Sequence, residues 1–400
     1  MKYSKKKSKQ MKSYLDFYEK HNVIPVKQVL SPEHALRRTH LYREIGCPPI
    51  AFKNSKVLEV GPGTGDNAAI TSEFEPKEFW LIDGNSASCT ELSKKIQTGL
   101  IKNATLMKMD IMSMEFEKLN ENFDIIICEG ASAQQDPKEF YRKILTKANK
   151  SDALVIFSCS SALSTGSELL RMLWYEPLSK MPYQEAVNEG AKVFGKHLKT
   201  LKGVSRTSSD WVIDSILNPK PKGFSFDISD LLELATEEGF QFLGSSSPNF
   251  FQNYDWYKQF DSQNSCSYNK KVKSSWERQV LCTLDTRINP EDIAQIMKED
   301  YSLANEVISS FTNLGEVITN MYASPENKLE AKLVESSLER IIQSMRHDSL
   351  RRTRQSVIDL GKVINNILEG QIHEDTGSFK EFWGRGQQYV SLVRSKFLDQ

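Results

Sequence analysis

The chain has 400 residues, which exceeds one typical domain and predicts a core domain with additions. Its 52 basic and 52 acidic side chains cancel, so no overall field would recruit nucleic acid or an acidic substrate. No apolar run approaches the roughly 20 residues of a membrane span. The six cysteines are scattered, which favours free thiols in a reducing compartment over disulfides or a metal site. We expect a cytoplasmic protein without metal.

Residues 1–50 are predicted to form a basic tail and a helical cap. The first twelve residues carry six lysines and no acid, and no hydrophobic segment follows, so a secretory signal is not expected. A solvated tail is the simpler interpretation, and peripheral contact with an anionic membrane surface is the alternative. The next segment predicts a helix with Ser31 as N-cap, Pro32 as first residue and Gly46 beyond its end.

Three glycines follow the first apolar run, in "VLEVGPGTGDN" at residues 57–67. The run predicts a buried strand ending near Val60, and the glycines allow backbone angles closed to other residues. Asp66 and Asn67 are good helix starters. Strand, glycine turn and helix together predict a nucleotide site, although a tight turn without ligand is the alternative. A dinucleotide fingerprint needs a third glycine where Asp66 stands, which weakens that interpretation.

Acids end the next three predicted strands. Asp83 follows "FWLI", Asp110 follows "ATLMKM" and Glu129 follows "FDIIIC". Because parallel strands finish at one edge of the sheet, where open α/β sheets bind ligands, these acids are expected to lie together. A capping or solvated role is the commoner explanation for each acid alone.

These motifs together resemble those of class I S-adenosylmethionine-dependent methyltransferases. The resemblance covers residues 50–160 well and implies a Rossmann-like α/β sheet of seven strands, mostly parallel with an antiparallel last strand. Wider similarity, from "LYREIGCPP" to "FWGRGQQY", is to bacterial methyltransferases associated with surface polysaccharide or glycoconjugate synthesis. "RQVLCTL" at 278–284 is predicted as the antiparallel strand.

The resemblance implies S-adenosylmethionine as cofactor and assigns it a binding site. The glycines lie under the methionyl part, Asp83 binds the ribose, Asp110 contacts the adenine amino group, and Glu59 and Glu129 lie near the methionyl amine. Arg37, Arg38, Tyr42 and Arg43, on the preceding helix, are available for the carboxylate, since guanidinium suits bidentate pairing. The predicted cofactor residues are Arg38, Tyr42, Glu59, Gly61, Pro62, Gly63, Gly65, Asn67, Asp83, Gly84, Asn85, Asp110, Ile111 and Glu129.

The methyltransferase domain is predicted at 51–285, with residues 161–226 as a helical lid insertion. A lid excludes water and positions the acceptor for in-line transfer. A hydroxyl acceptor must lose its proton, and His197, the only histidine between 41 and 346, is the first candidate base. Glu129 and Asp210 are the other catalytic candidates. An ordinary hydrogen-bonded histidine, and a helix capped by Ser209 with solvated aspartates, are the alternatives.

Residues 286–400 are predicted as a helical domain with two apolar stripes. Val307, Phe311, Leu314, Ile318 and Met321 form the first, and Val357, Leu360, Ile364 and Ile367 form the second. Each stripe needs a partner surface, from its own chain or from a second copy in a homodimer.

Three functions compete. The fourth strand lacks the Asn or Asp, two prolines and aromatic residue of enzymes that methylate base or amide nitrogens, which favours an oxygen acceptor on a small molecule or glycan. A protein or nucleic-acid methyltransferase is supported by the lysine tail, "NKKVK" at 269–273 and the arginines at 346, 351, 352 and 354. The third is a non-methylating member of the fold, such as an aminopropyltransferase, but Pro62 and Thr64 depart from that pattern. A small acceptor and no nucleic acid are expected.

Overall fold

The computed structural model describes most of the chain. The described residues are 17–23, 30–130, 136–201, 204, 206–218, 226–246, 265–289, 291–293, 296, 300–323 and 331–394. The lysine tail at 1–12 lies outside them. They divide into two compact units: unit 1 holds residues 1–159, 226–277 and 387–400, and unit 2 holds residues 160–225 and 278–386. In the part that is described, no helix combines the length and apolar character that a bilayer crossing requires.

Unit 1 is built on a seven-stranded sheet with the order β3-β2-β1-β4-β5-β7-β6. Its strands are β1 Lys56–Val60, β2 Glu78–Asp83, β3 Ala104–Lys108, β4 Ile125–Cys128, β5 Leu154–Cys159, β6 Gln241–Ser245 and β7 Gln388–Val393. The first five are parallel, and β7 runs antiparallel between β5 and β6. The predicted fold class is confirmed.

Helices of unit 1 precede, connect or follow these strands. They are α1 Pro32–Glu44, α2 Asp66–Ser72, α3 Ser86–Gln97, α4 Met114–Lys118, α5 Pro137–Leu145, α10 Ile228–Glu237 and α11 Ser265–Glu277. The helix α1 begins as its sequence predicts, because the Ser31 side chain accepts a hydrogen bond from the amide of His34 and Pro32 occupies the first turn. Gly46 follows its end with φ of 78°.

The position of the antiparallel strand was predicted wrongly. Residues Val280–Thr283 form a 3₁₀ helix in unit 2, and the strand beside β5 is β7, about a hundred residues later in the chain. The apolar run is real, since Val280, Leu281 and Cys282 are buried. A short apolar run fits a buried strand or a buried turn of helix equally well. Consequently residues 387–394 belong to the unit of the sheet, whereas the predicted division placed them in a helical domain at 286–400.

Unit 2 is helical. Its helices are α6 Gly166–Arg171, α7 Tyr175–Leu178, α8 Tyr183–Leu198, α9 Ser208–Val212, α12 Tyr301–Ala323, α13 Ala331–Ser344, α14 Arg351–Gly361 and α15 Ile364–Leu368. The helix α9 is capped by Thr207, not by Ser209 as predicted, and continues into a π-helical turn at Ile213–Leu217.

Both predicted apolar stripes of unit 2 are buried within the chain. Val307, Phe311, Leu314 and Ile318 on α12 are fully buried, and α12 packs on α13 and α6. The side chain of Met321 lies outside the described residues. The second stripe spans α14 and α15 and is also buried. Because helices of the same unit cover these faces, the stripes no longer require a second copy of the chain.

Candidate active site

The glycine turn leaves β1 in a conformation that only glycine adopts readily. Gly61, Gly63 and Gly65 have φ of 65°, 57° and 78°. The amide of Gly61 donates to the carbonyl of Ile82 at 2.8 Å, and that of Gly65 donates to the carbonyl of Pro62 at 2.9 Å. The turn is therefore fixed to β2 and closed on itself at the carboxyl edge of the sheet.

The packing around Gly65 also leaves no room for a side chain. A Cβ atom built on it would lie 2.5 Å from Cδ2 of Leu92 and 3.0 Å from Cδ1 of Ile101. Leu92 and Ile101 are buried in the core cluster of unit 1. A glycine is needed here both for its φ and for the close packing of the turn on this core.

Asp83 connects the glycine turn to the end of β2. Its Oδ2 accepts from the amide of Gly63 at 3.1 Å and its Oδ1 accepts from the amide of Asn85 at 2.8 Å. Burial raises its pKa to about 6, an effect that the two amides oppose. Each carboxylate oxygen takes one amide and retains acceptor capacity, which a vicinal diol could use.

The residues after Asp83 and β3 form supporting turns. Gly84 follows Asp83 directly, and Asn85 is buried, caps α3 through the amide of Ala87 and donates to the carbonyl of Val23 at 3.0 Å. Asp110 is half-buried, and its Oδ1 accepts from the amide of Met112 at 2.9 Å. Ile111 beside it is buried. The structure thus places these predicted residues on the two strands that follow the glycine turn.

Arg38, Tyr42 and Glu129 form a buried polar network. The guanidinium of Arg38 donates to Oε2 of Glu129 at 2.5 Å and to Oε1 at 2.9 Å, and the two side chains are only 6% and 9% exposed. Arg38 also donates to the hydroxyl of Tyr42, which lies 3.3 Å from Oε1 of Glu129. The carboxylate of Glu129 raises the pKa of Arg38 against the effect of burial. Arg37 and Arg43, the other predicted arginines, are exposed.

Two atoms of this network are buried without a hydrogen-bond partner among the described residues. They are Nε of Arg38, a donor, and Oε2 of Glu59, an acceptor. Glu59 is 4% exposed, and burial together with the charge of Glu129 raises its pKa to about 8. Buried polar groups normally have partners, so these two atoms could take an acceptor and a donor from a ligand.

The structure adds two residues that sequence reasoning missed. Nε2 of His34 lies 3.0 Å from Oδ1 of Asn67, whose amide nitrogen lies 3.5 Å from Oε2 of Glu129. His34, Arg38 and Tyr42 are spaced i, i+4, i+8, and this shared helix face was the available signal. Tyr389 on β7 is the second, since burial and the charge of Glu129 raise its pKa to about 12. No sequence signal placed β7 here.

The surroundings of His197 argue against the predicted role as a base. His197 is fully buried in unit 2, where Nδ1 accepts from Nε of Arg171 at 3.1 Å and Nε2 lies 3.2 Å from the hydroxyl of Thr376. Burial and the charge of Arg171 lower its pKa to about 2. Both ring nitrogens are engaged and the ring is neutral, so His197 fits a structural role.

Asp210 occupies a capping position. Its amide donates to the hydroxyl of Thr207 at 3.1 Å, and that hydroxyl donates back to Oδ2 at 2.6 Å. Asp214 pairs with Arg206 at 2.6 Å. Both aspartates thus have local structural partners, although the cap is Thr207 and not Ser209, and Asp214 is ion-paired and not merely solvated.

The basic clusters that suggested a polymer substrate are committed to structure only in part. In α11, Val272 and Asn269 are buried, and Lys273 pairs with Glu233. Arg346 bonds to Glu306 at 2.5 Å and Arg354 donates to main-chain carbonyls. Lys270, Lys271, Arg351 and Arg352 are exposed, so both clusters keep solvent-facing cations.

Comparison with known proteins is consistent with this geometry. A family model described as "Methyltransferase domain" matches residues 51–202. An uncharacterized protein of Rickettsia prowazekii (strain Madrid E) is 32% identical over 106 residues, which cover 26% of this chain and 41% of that protein. The match thus spans less than half of that relative.

Two solved structures illustrate the structural likeness. PKMT2 from Rickettsia typhi, in complex with AdoHcy, is 16% identical with a TM-score of 0.37 and covers 69% of this chain and 52% of that one. Magnesium protoporphyrin IX methyltransferase from Synechocystis PCC 6803, with bound SAH, is 13% identical with a TM-score of 0.31. The match covers 61% of this chain and 91% of that one. Similarity at this level does not identify a substrate.

Proposed function

We propose that this chain is a class I S-adenosylmethionine-dependent methyltransferase, in line with the methyltransferase-domain model that matches residues 51–202, and that it methylates a hydroxyl group of a small-molecule or glycan acceptor. The observation that carries the cofactor assignment is a pair of buried atoms in unit 1: within the described residues, Nε of Arg38 lacks an acceptor and Oε2 of Glu59 lacks a donor. The methionyl end of the cofactor carries a carboxylate and an ammonium group, which supply one of each.

The other predicted residues fit the nucleoside half. Asp83 keeps acceptor capacity for the two ribose hydroxyls, because each of its oxygens is engaged by a single amide. Gly63 lets the main chain approach the ligand, since no side chain stands between them. Asp110 and Ile111 are the residues we assign to the adenine.

The chemistry needs positioning more than acid–base assistance. When bound, the cofactor supplies an electrophilic methyl carbon on a sulfonium sulfur. Held by Arg38, Glu59 and Asp83, it would offer this methyl group to the acceptor oxygen, and the hydroxyl proton would leave to water. His197 is not retained as the base, because both of its ring nitrogens are hydrogen-bonded within unit 2. Proximity and alignment then provide most of the rate.

An oxygen acceptor is supported by the end of β4. Both oxygens of Glu129 are bonded to Arg38, so this carboxylate is not free to hold a planar amine. The adjoining residues 131–135 lie outside the described part of the chain.

Two measurements test the proposal. Calorimetry with S-adenosylhomocysteine should give binding that Asp83→Asn weakens by about 1.5 to 3 kcal/mol, roughly ten- to a hundredfold, because a charged acceptor is lost. Glu78→Gln, at the opposite end of β2, is the matched control and should bind normally. Equal affinity in the unmodified protein, Asp83→Asn and Glu78→Gln would contradict the assignment of Asp83 to the cofactor site.

The acceptor class is tested by methyl transfer. Isotopically labelled cofactor is incubated with hydroxylated small molecules, glycans, protein and nucleic acid, and the product is analysed by mass. We expect a gain of one methyl group as an alkali-stable ether. Labelling of protein or nucleic acid alone would contradict the proposed class of acceptor, but it would not contradict the proposed cofactor site.

A further inference from the structure

The largely buried side chains of Arg38, Glu59 and Glu129 include two carboxyl groups and one guanidinium. The guanidinium of Arg38 is bonded to both oxygens of Glu129. Among the residues that the structure describes, Oε2 of Glu59 has no hydrogen-bond partner. An isolated ionised carboxylate is costly to bury, so Glu59 requires either a proton or a cationic partner.

We propose that Glu59 is protonated in the ligand-free protein and releases this proton when the cofactor's α-ammonium group binds beside it. Cofactor binding is then coupled to proton release. The inference rests on the proposed function, because it takes the ammonium group from the assigned cofactor.

The groups that act on Glu59 come from each element packed against it. Glu129 and Cys128 stand at the end of β4, and Arg38 and Tyr42 lie on α1. On the β2 side the register partner is the apolar Leu81. Arg38 alone favours the ionised form, and burial and Glu129 outweigh it, which raises the pKa of Glu59 to about 8.

The exchange balances without any other reactant. Glu59 as a neutral acid meets an ammonium group, the O–H bond of the acid breaks, the carboxylate pairs with the ammonium, and the proton passes to buffer. With a pKa of about 8 for Glu59, most molecules carry its proton at pH 7, whereas the ligand's α-ammonium group is already charged, so more than about half a proton is released per ligand. Through Glu59, affinity should fall by up to about tenfold between pH 7 and pH 6, because the acid must lose its proton to pair with the ammonium group.

Isothermal titration calorimetry measures the proton count directly. S-adenosylhomocysteine is titrated at pH 7 into the whole chain in buffers of different ionisation enthalpy, and the slope of heat against ionisation enthalpy gives the protons exchanged. The control ligand is 5′-methylthioadenosine, which keeps the ribose and adenine but lacks the ammonium group. Any proton exchanged by Asp83 appears with both ligands and is subtracted.

The variant Glu59→Gln completes the design. Its amide has nearly the same shape and holds no titrating proton, so proton release with S-adenosylhomocysteine should fall close to zero. Release of more than about half a proton by the unmodified protein, absent with 5′-methylthioadenosine and in Glu59→Gln, supports the proposal.

The possible failures are distinguishable. Tight binding of S-adenosylhomocysteine by the unmodified protein without proton release overturns the inference alone, and needs no variant to fold. Unchanged release in Glu59→Gln assigns the proton to another group and also overturns it. If neither ligand binds, the proposed function itself fails.

Discussion

Replacing Arg38 with methionine tests the buried network on which the site depends. The guanidinium makes bonds of 2.5 and 2.9 Å to Glu129 and a third bond to Tyr42, and methionine keeps an apolar stem but none of these donors. The carboxylate of Glu129, 9% exposed, would be left without its counterion. Removing one partner of a buried pair costs about 3 to 5 kcal/mol, so Arg38→Met should lower the stability of unit 1 by that amount.

The matched control removes the orphaned charge as well. In Arg38→Met/Glu129→Gln no ionised group is left unpaired, and we expect it to recover at least about 1 kcal/mol of the loss. Native-state hydrogen exchange at the amides of β1 and β4 is the suitable assay, because it reports on the sheet of unit 1 and not on the helical unit. A single variant within about 1 kcal/mol of the unmodified protein would refute this account of the pair.

Three further predictions concern single residues. Gly65→Ala should lower the free energy of unfolding by about 2 to 5 kcal/mol, because of the positive φ and the clash with Leu92. Gly99 has φ of 74° and open space around it, so the control Gly99→Ala should lower it by only about 1 to 2 kcal/mol. Denaturant titration measures both values. His197→Gln should keep the turnover of the unmodified protein and its pH profile. A loss of turnover of about a hundredfold in a folded variant would instead show that His197 acts as a base. A buried acid with a raised pKa makes the folded protein less stable as pH rises from 4.5 to about 8, because the acid must ionise. The melting temperature of Glu59→Gln should therefore rise relative to that of the unmodified protein across this window. The same difference in melting temperature between the two proteins at pH 5 and at pH 8 would contradict this.

The local chemistry of the site could be predicted from the sequence. The glycine turn, the strand ends at Asp83 and Glu129 and the cap at Ser31 all depend on neighbouring residues and on backbone preferences. For the same reason the strands β1 to β4 were located correctly. The assignments of individual residues to parts of the cofactor remain predictions.

Only the tertiary structure decided which distant residues meet. Arg38 and Glu129 lie 91 residues apart, and the chain between β5 and β7 contains the whole of unit 2, so no local pattern specifies either pairing. Sequence also could not show that His197 is buried against Arg171, or that Oε2 of Glu59 has no hydrogen-bond partner in the described part of the chain. Burial and hydrogen-bond satisfaction are properties of the packed chain, and they determine whether a polar residue supports the fold or remains available to a ligand.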